Sequence, residues 1–406
     1  MSPSRQVSRE QYPKDLPLRA PHLTRRRLET STPTPTAQRE AEPTAAARAG
    51  KLATGALRRR LAVRILFFLG SVALLGFTFR HADFAAVRRL LAGAPALWLA
   101  PVPYFFVICF DSLGWWLLLR RAGCRLPLHR TLGVRLPAEA VGLSLPSGTV
   151  FTEVVALHLL RRRYGVDPAP AVASLAGRRL YLAFGFGVAL VASSIAGHRV
   201  LAAASPRIIG APGLEWAGLV AGAALIAGSL GLAAMWTGSA IGERLHRLLL
   251  RLPLAPLHRW LERSRETFAA VDRSMARSFA APVAGMAVTA ACFTAVWLTE
   301  SVETFFFMSL LGAHLTFRQV FSFDTLLTLV RGLVFFVPAG LGFQDFGFVA
   351  FLRGLGVANA VTLGAAFVLI KRCKELFWIL AGYLLLAWGM WISPPAATAR
   401  GVCTNP

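Results

Sequence analysis

The 406 residues predict an all-α, polytopic membrane protein, and three observations carry that prediction. The chain is 55% hydrophobic with a mean hydropathy of +0.54, more apolar than a soluble protein of this size. Only 16% of residues are charged, and they are clustered. Apolar runs of 18 or more residues follow one another, each long enough to cross a hydrocarbon core of about 30 Å at about 1.5 Å per residue. The period-two alternation of a membrane β-barrel is missing.

Residues 1–58 read as a disordered, basic, cytoplasmic tail. The stretch "TSTPTPTAQREAEPTAAA" has no core-forming period. Its Arg excess, ending in Arg58-Arg59-Arg60, places the N-terminus inside. A membrane domain follows over 59–392, and 393–406 form a short tail. Full spans are predicted at about 61–79, 95–119, 168–197, 213–236, 281–311 and 358–392. Two more apolar segments, about 136–162 and 322–355, are broken by Pro and Gly.

The Arg-rich patches at 58–64, 120–135 and 237–279 alternate with Arg-poor segments at 80–94, 197–212 and 312–321. Arg120, Arg121, Arg125, Arg130 and Arg135 make up the second patch. The alternation fits six full spans plus two re-entrant hairpins, with both termini cytoplasmic. About eight full spans is the alternative count.

The net charge of +24 has the same explanation. The positives lie between spans, where they favour anionic lipid head groups, and no nucleic-acid partner is expected. Cys109, Cys124, Cys292, Cys373 and Cys403 form no C-x-x-C pair and read as small apolar side chains. The eight His have no ligand spacing, so neither metal nor cofactor is expected. Enzyme signatures such as G-x-S-x-G or a P-loop are missing as well, and the chain reads as a non-enzyme.

The broken segments match each other. "LPSGTVFTEVVALHLLRRRYGV" starts at Leu145, and "VPAGLGFQDFGFVAFLRGLGV" starts at Val337. Each has a carboxylate seven residues after its Pro: Glu153 after Pro146, and Asp345 after Pro338. Gly148 follows the first Pro; Gly340 and Gly342 follow the second. Both stretches close on Gly-Val, and a basic pair stands in each following helix, Arg178-Arg179 and Lys371-Arg372. Glu139 and Arg331 each lie seven residues before the Pro, and Asp111 and Glu300 each lie twelve before a Gly.

The halves, about 61–197 and 213–392, start on opposite sides by the charge rule. That is an inverted-topology repeat, an architecture of transporters. Broken backbone is tolerated in a membrane where it is buried in protein or lines a wet cavity.

Ionisable groups within apolar runs face the interior and take partners. The simplest pairing joins Glu153 to Arg178 or Arg179, and Asp345 to Lys371 or Arg372. Glu139 and Arg331, equivalent and opposite in charge, are expected to meet near the pseudo-two-fold axis. A structural reading, ion pairs that hold hairpins to helices, stands beside the functional one. Arg178 and Lys371 are candidates for a lipid phosphate. Asp111 and Glu300 are expected near the interface, and Glu303 near the outer boundary, where snorkelling removes its cost.

"PAEAVGLSLPSG", "LLRRRYGV" with "AVASLAGRRL", and "VPAGLGFQDFG" with its later Gly-Val and Lys-Arg resemble the membrane region of lysylphosphatidylglycerol synthases and stand-alone flippase-like relatives. The resemblance covers about 61–392. Asp345 stands where the family has Glu, and Thr149-Val150 where a Gly is common.

No soluble aminoacyl-transferase domain is expected after the last helix, so the resemblance implies lipid translocation or handling in the bacterial inner membrane, not lipid aminoacylation. The implied partners are membrane lipids, either anionic phospholipid or isoprenoid-type lipid. The cavity residues expected from the matched segments and their charges are Glu139, Pro146, Gly148, Glu153, Arg178, Arg179, Arg331, Pro338, Gly340, Gly342, Asp345, Lys371 and Arg372. Two alternatives stay open: an accessory subunit presenting lipid to a membrane enzyme partner, and a secondary transporter of a soluble solute.

Overall fold

The computed structural model describes residues 69–70, 73–94, 96–145, 148–238, 244, 246–248, 255–280, 282–333 and 342–392. The predicted tails and the first half of the first predicted span lie outside these residues. Among the described residues regular structure is helical, with no β-strand.

Helix α1 (Phe84–Ala92) is short and amphipathic. Asp83 starts it by accepting from the Ala85 and Ala86 N–H groups. Helix α2 (Pro101–Arg121) opens with a proline, whose missing N–H leaves no bond unmade at a first helical position. Then come α3 (Leu128–Ser144), α4 (Gly148–Tyr164) and α5 (Pro168–Ala196), which again opens on Pro. Helix α6 (His198–Ile209) ends on Gly210 at φ 74°, a left-handed C-cap. The rest are α7 (Leu214–Gly238), α8 (Ala255–Phe279), α9 (Val283–Leu310), α10 (Phe317–Leu333), α11 (Phe343–Gly354) and α12 (Ala360–Ile392).

Four of these are long and apolar enough to cross a membrane: Leu97–Arg121, Pro168–Ala196, Leu214–Trp236 and Val283–Leu310. Helix α12 has the length, 33 residues, but carries Lys371, Arg372, Lys374 and Glu375 near its middle. Trp216, Val220 and Leu230 on α7, and Leu376, Leu380 and Trp388 on α12, are more than half exposed. Faces of that composition suit lipid as solvent. The chain is a multi-pass membrane protein.

Three helices occupy segments whose charge and low hydropathy predict connections. Helix α1 lies in 80–94, α6 in 197–212 and α8 in 237–279. Charged residues dominate the sequence of α8. Its helical period still buries Ser274, Met275, Ser278 and Phe279 while Arg265, Arg273 and Arg277 stay exposed. The first broken segment also starts earlier than predicted, at Leu128 rather than 136.

Each broken segment consists of two helices packed on each other, α3 with α4 and α10 with α11. The remaining packing comes in matched sets. Helix α2 packs on α9; α3 packs on α12 and α10 on α5; α1 packs on α12 and α8 on α5. Aromatic cores fill the joins. Phe307, Phe323, Phe348 and Phe367 fill one, and Tyr181, Phe293 and Trp378 another.

Small residues bring the helices to backbone contact. A Cβ added at Gly185 of α5 would come within 2.8 Å of the Phe293 backbone of α9. One added at Gly187 would come equally close to Gly222 of α7. Such close approach is how helices associate where burial from water offers no driving force.

Candidate functional site

The two hairpins and the long helices around them line a partly open cavity of about 510 Å³. Leu182 and Phe186 of α5, Leu225 of α7, and Val296 and Trp297 of α9 give it apolar lining. The charged lining is balanced. Asp111, Glu139, Glu300, Glu303, Asp324 and Glu375 face Arg135, Arg178, Arg179, Arg331, Lys371 and Lys374.

Asp111 organises the first cluster from α2. It is 3% exposed and accepts from Arg135 Nε at 2.5 Å, Arg178 Nε at 2.7 Å and Arg178 Nη2 at 2.5 Å. Arg135 also reaches Glu139 at 2.6 Å, one turn along α3, and the Tyr104 hydroxyl donates to Glu139 at 2.6 Å. Arg178 Nη1 donates to Glu153 of α4 at 2.8 Å, and Arg179 Nε lies 2.5 Å from the same oxygen. A second Arg179 nitrogen ties down the Thr149 carbonyl at the hairpin tip. The forked guanidinium suits this bridging, because its donors lie in one plane at fixed angles.

The second cluster is looser. Arg331 donates to Glu300 at 3.2 Å, and Lys374 to Glu303 at 2.6 Å. Arg372 donates to both Asp345 oxygens at 3.1 Å and to Glu375 at 2.6 Å. Asp345 accepts the Gly342 N–H at 2.9 Å and so closes the first turn of α11. Gly342 takes φ 80° there, which favours glycine.

Two groups stand apart. Asp324 is 5% exposed and accepts from the Ser301 and Thr304 hydroxyls at 2.9 Å each. Among the described residues no cation lies within 4 Å of it, and no carboxylate lies within 4 Å of Lys371. Lys371 is 8% exposed, with its Nζ 5.3 Å from the Phe348 ring centroid.

Of the expected site residues, Glu139, Gly148, Arg178, Arg179, Arg331 and Lys371 line the cavity. Glu153, Asp345 and Arg372 stand behind the lining and hold it. Gly342 starts α11. Pro146, Pro338 and Gly340 lie outside the described residues. Glu153 takes both Arg178 and Arg179, and Asp345 takes Arg372 rather than Lys371.

Glu139 and Arg331 do not pair, which corrects the expected meeting near the axis. Matching the starts of α3 and α10 sets Arg135 against Asp324 and Glu139 against Thr328. Asp111 and Glu303 are buried inside the protein and paired, not adjusted to an interface. Arg135 is buried too, although it ends a run of Arg that otherwise reads as a solvated loop.

Sequence reasoning passed over Tyr104, Glu303, Asp324, Lys374 and Glu375 as site residues. The i, i+4 spacing of Arg135 and Glu139 and the i, i+3 spacing of Glu300 and Glu303 were the available signals. Among the described residues no three His, Cys, Asp or Glu side chains group as metal ligands.

The family model of the lysylphosphatidylglycerol synthase TM region matches residues 61–392. No curated protein and no solved structure gives a significant match. A match over most of the chain, on a helical membrane fold built around a charged cavity, places this protein in the lysylphosphatidylglycerol synthase TM-region family.

Proposed function

We propose that the chain is a flippase-like transporter that carries a lipid head group across a bacterial inner membrane. One observation carries the reading: a single cavity combines apolar lining with a buried ammonium, Lys371, that has no carboxylate within 4 Å among the described residues. Charge that is already paired inside a protein is satisfied. A free buried cation attracts a phosphate, and an apolar wall accepts the glycerol and upper acyl chains. Family membership supports a membrane lipid-related role.

The reading takes the matched packing sets as an inverted-topology repeat. The first predicted span corresponds to α7, α2 to α9, α3 to α10, α4 to α11 and α5 to α12. Six spans and two re-entrant hairpins follow, with both termini cytoplasmic. Helix α11, at 12 residues or about 18 Å, is too short to cross alone. The chain works as a carrier, not a catalyst. Seven of the eight carboxylates in and behind the lining are gripped by Arg or Lys, which suits them to holding shape. The cargo is an anionic phospholipid or isoprenoid-type lipid.

The test is head-group translocation in liposomes carrying the purified protein, with fluorescent anionic and zwitterionic phospholipids. Wild type is expected to move the anionic probe. Arg178→Ala and Lys371→Ala, folded as judged by gel filtration, are expected to lose that movement. Equal movement by wild type and Lys371→Ala would sink the head-group role of Lys371.

A further inference from the structure

The two charge clusters do not balance alike. The first holds three carboxylates, Asp111, Glu139 and Glu153, against three arginines, Arg135, Arg178 and Arg179. The second holds five carboxylates, Glu300, Glu303, Asp324, Asp345 and Glu375, against four cations, Arg331, Lys371, Arg372 and Lys374. Arg372 serves two of the carboxylates, Asp345 and Glu375; among the described residues the carboxylate with no cation within 4 Å is Asp324, which accepts from two hydroxyls. A phosphate arriving beside Lys371 would raise the surplus to two in a place where uncompensated charge is costly.

We infer that Asp324 is a proton-binding site coupled to the head group: one proton enters its carboxylate as one anionic phosphate charge enters beside Lys371. This rests on the head-group reading above and adds to it a stoichiometry and a means of coupling to a proton gradient. The step is a plain protonation. A proton from cavity water adds to one carboxylate oxygen, an O–H bond forms, and the hydroxyl that donated to that oxygen turns away or becomes an acceptor. Ser301 and Thr304 can both do this, because a hydroxyl donates and accepts by rotation.

The surroundings of Asp324 leave it this role. Helix α9 brings Glu300 and Glu303, which Arg331 and Lys374 hold. Helix α12 brings Lys371, beyond ion-pair distance, with Lys374 and Glu375. Helix α11 brings Asp345, tied to Arg372, and the neutral Gln344. Helix α5 offers the Ser193 hydroxyl, which meets Thr325, and α6 sends Arg207 to the Gly354 carbonyl. Arg331 shares the helix of Asp324 and is spent on Glu300.

Infrared difference spectroscopy of the purified full chain tests this without any transport. The protein sits in nanodiscs of ether-linked lipids, which lack ester carbonyls, at neutral pH. Replacing part of the phosphatidylcholine by phosphatidylglycerol is expected to raise a protonated-carboxyl band in wild type. Asp324→Asn is expected to lose that band. Asp324→Glu is expected to keep it, which controls for folding. A band that rises equally in Asp324→Asn, or that ignores phosphatidylglycerol in wild type, overturns the inference.

Inorganic phosphate added to pure phosphatidylcholine discs is expected to leave the band unchanged. A response to it would assign the site to a soluble anion and overturn the coupling to lipid. The liposome assay fails or succeeds separately. Lipid movement without the infrared response refutes only the proton site, and the response without movement refutes only the transport reading.

Discussion

Replacing Asp111 by Asn removes the charge that two buried arginines share while keeping the side chain's volume. Three hydrogen bonds of 2.5–2.7 Å from Arg135 and Arg178 lose their anionic acceptor. Taking one partner from a buried ion pair costs about 3–5 kcal/mol, because the other charge is left behind. Arg135 keeps Glu139 and Arg178 keeps Glu153, so the lower end, about 3 kcal/mol, is expected. The assay is SDS titration of the purified protein in mixed micelles, read as the change in unfolding free energy.

Two comparisons make the result specific. Arg89→Gln breaks a 3.9 Å pair with Asp83 whose side chains are 77% and 58% exposed, and the change should stay within about 0–1 kcal/mol. Adding Arg135→Gln to Asp111→Asn restores the balance of the first cluster at two carboxylates against two arginines. The double variant should therefore recover about 1 kcal/mol or more relative to the sum of the single changes. Asp111→Asn within about 1 kcal/mol of wild type, or strict additivity in the double variant, would refute the idea that Asp111 holds the cluster together.

Tyr104→Phe removes the only described side-chain hydrogen bond from that hydroxyl to Glu139, and should cost about 1.5–3 kcal/mol in the same titration, since the acceptor is charged. It keeps the ring beneath the Lys374 ammonium, 4.1 Å away, so Tyr104→Leu should cost more than Tyr104→Phe. Gly148→Ala sets a Cβ against the Gly142 carbonyl across the first hairpin and should destabilise by about 1–3 kcal/mol; Gly133→Ala, where the nearest atom is 3.9 Å away, should be near neutral.

The four helices long and apolar enough to cross a membrane were legible because a run of apolar residues is a bulk property. The hairpin pairs were legible because Pro, Gly, a carboxylate and a basic pair recur at matched spacing. The centre of the first cluster was not. Arg135 looks like its exposed neighbours Arg125 and Arg130, and only the fold turns it inward to Asp111, 24 residues earlier. Asp324 was hidden for a related reason. Its partners are a Ser and a Thr on another helix, and hydroxyl residues carry no charge signal. Helix α8 was hidden by its polarity, since its buried face holds two serines beside Met275 and Phe279.

The central claim is that a lipid enters the cavity, and photolabelling tests it most directly. Phosphatidylglycerol with a diazirine near its glycerol is incorporated with the purified chain, irradiated, and the attachment sites are read by mass spectrometry. The account predicts labels on Phe186, Leu225 and Trp297, reduced by Lys371→Ala. Labels confined to outward residues such as Trp216, Leu230 and Leu380, and unchanged by Lys371→Ala, would contradict it.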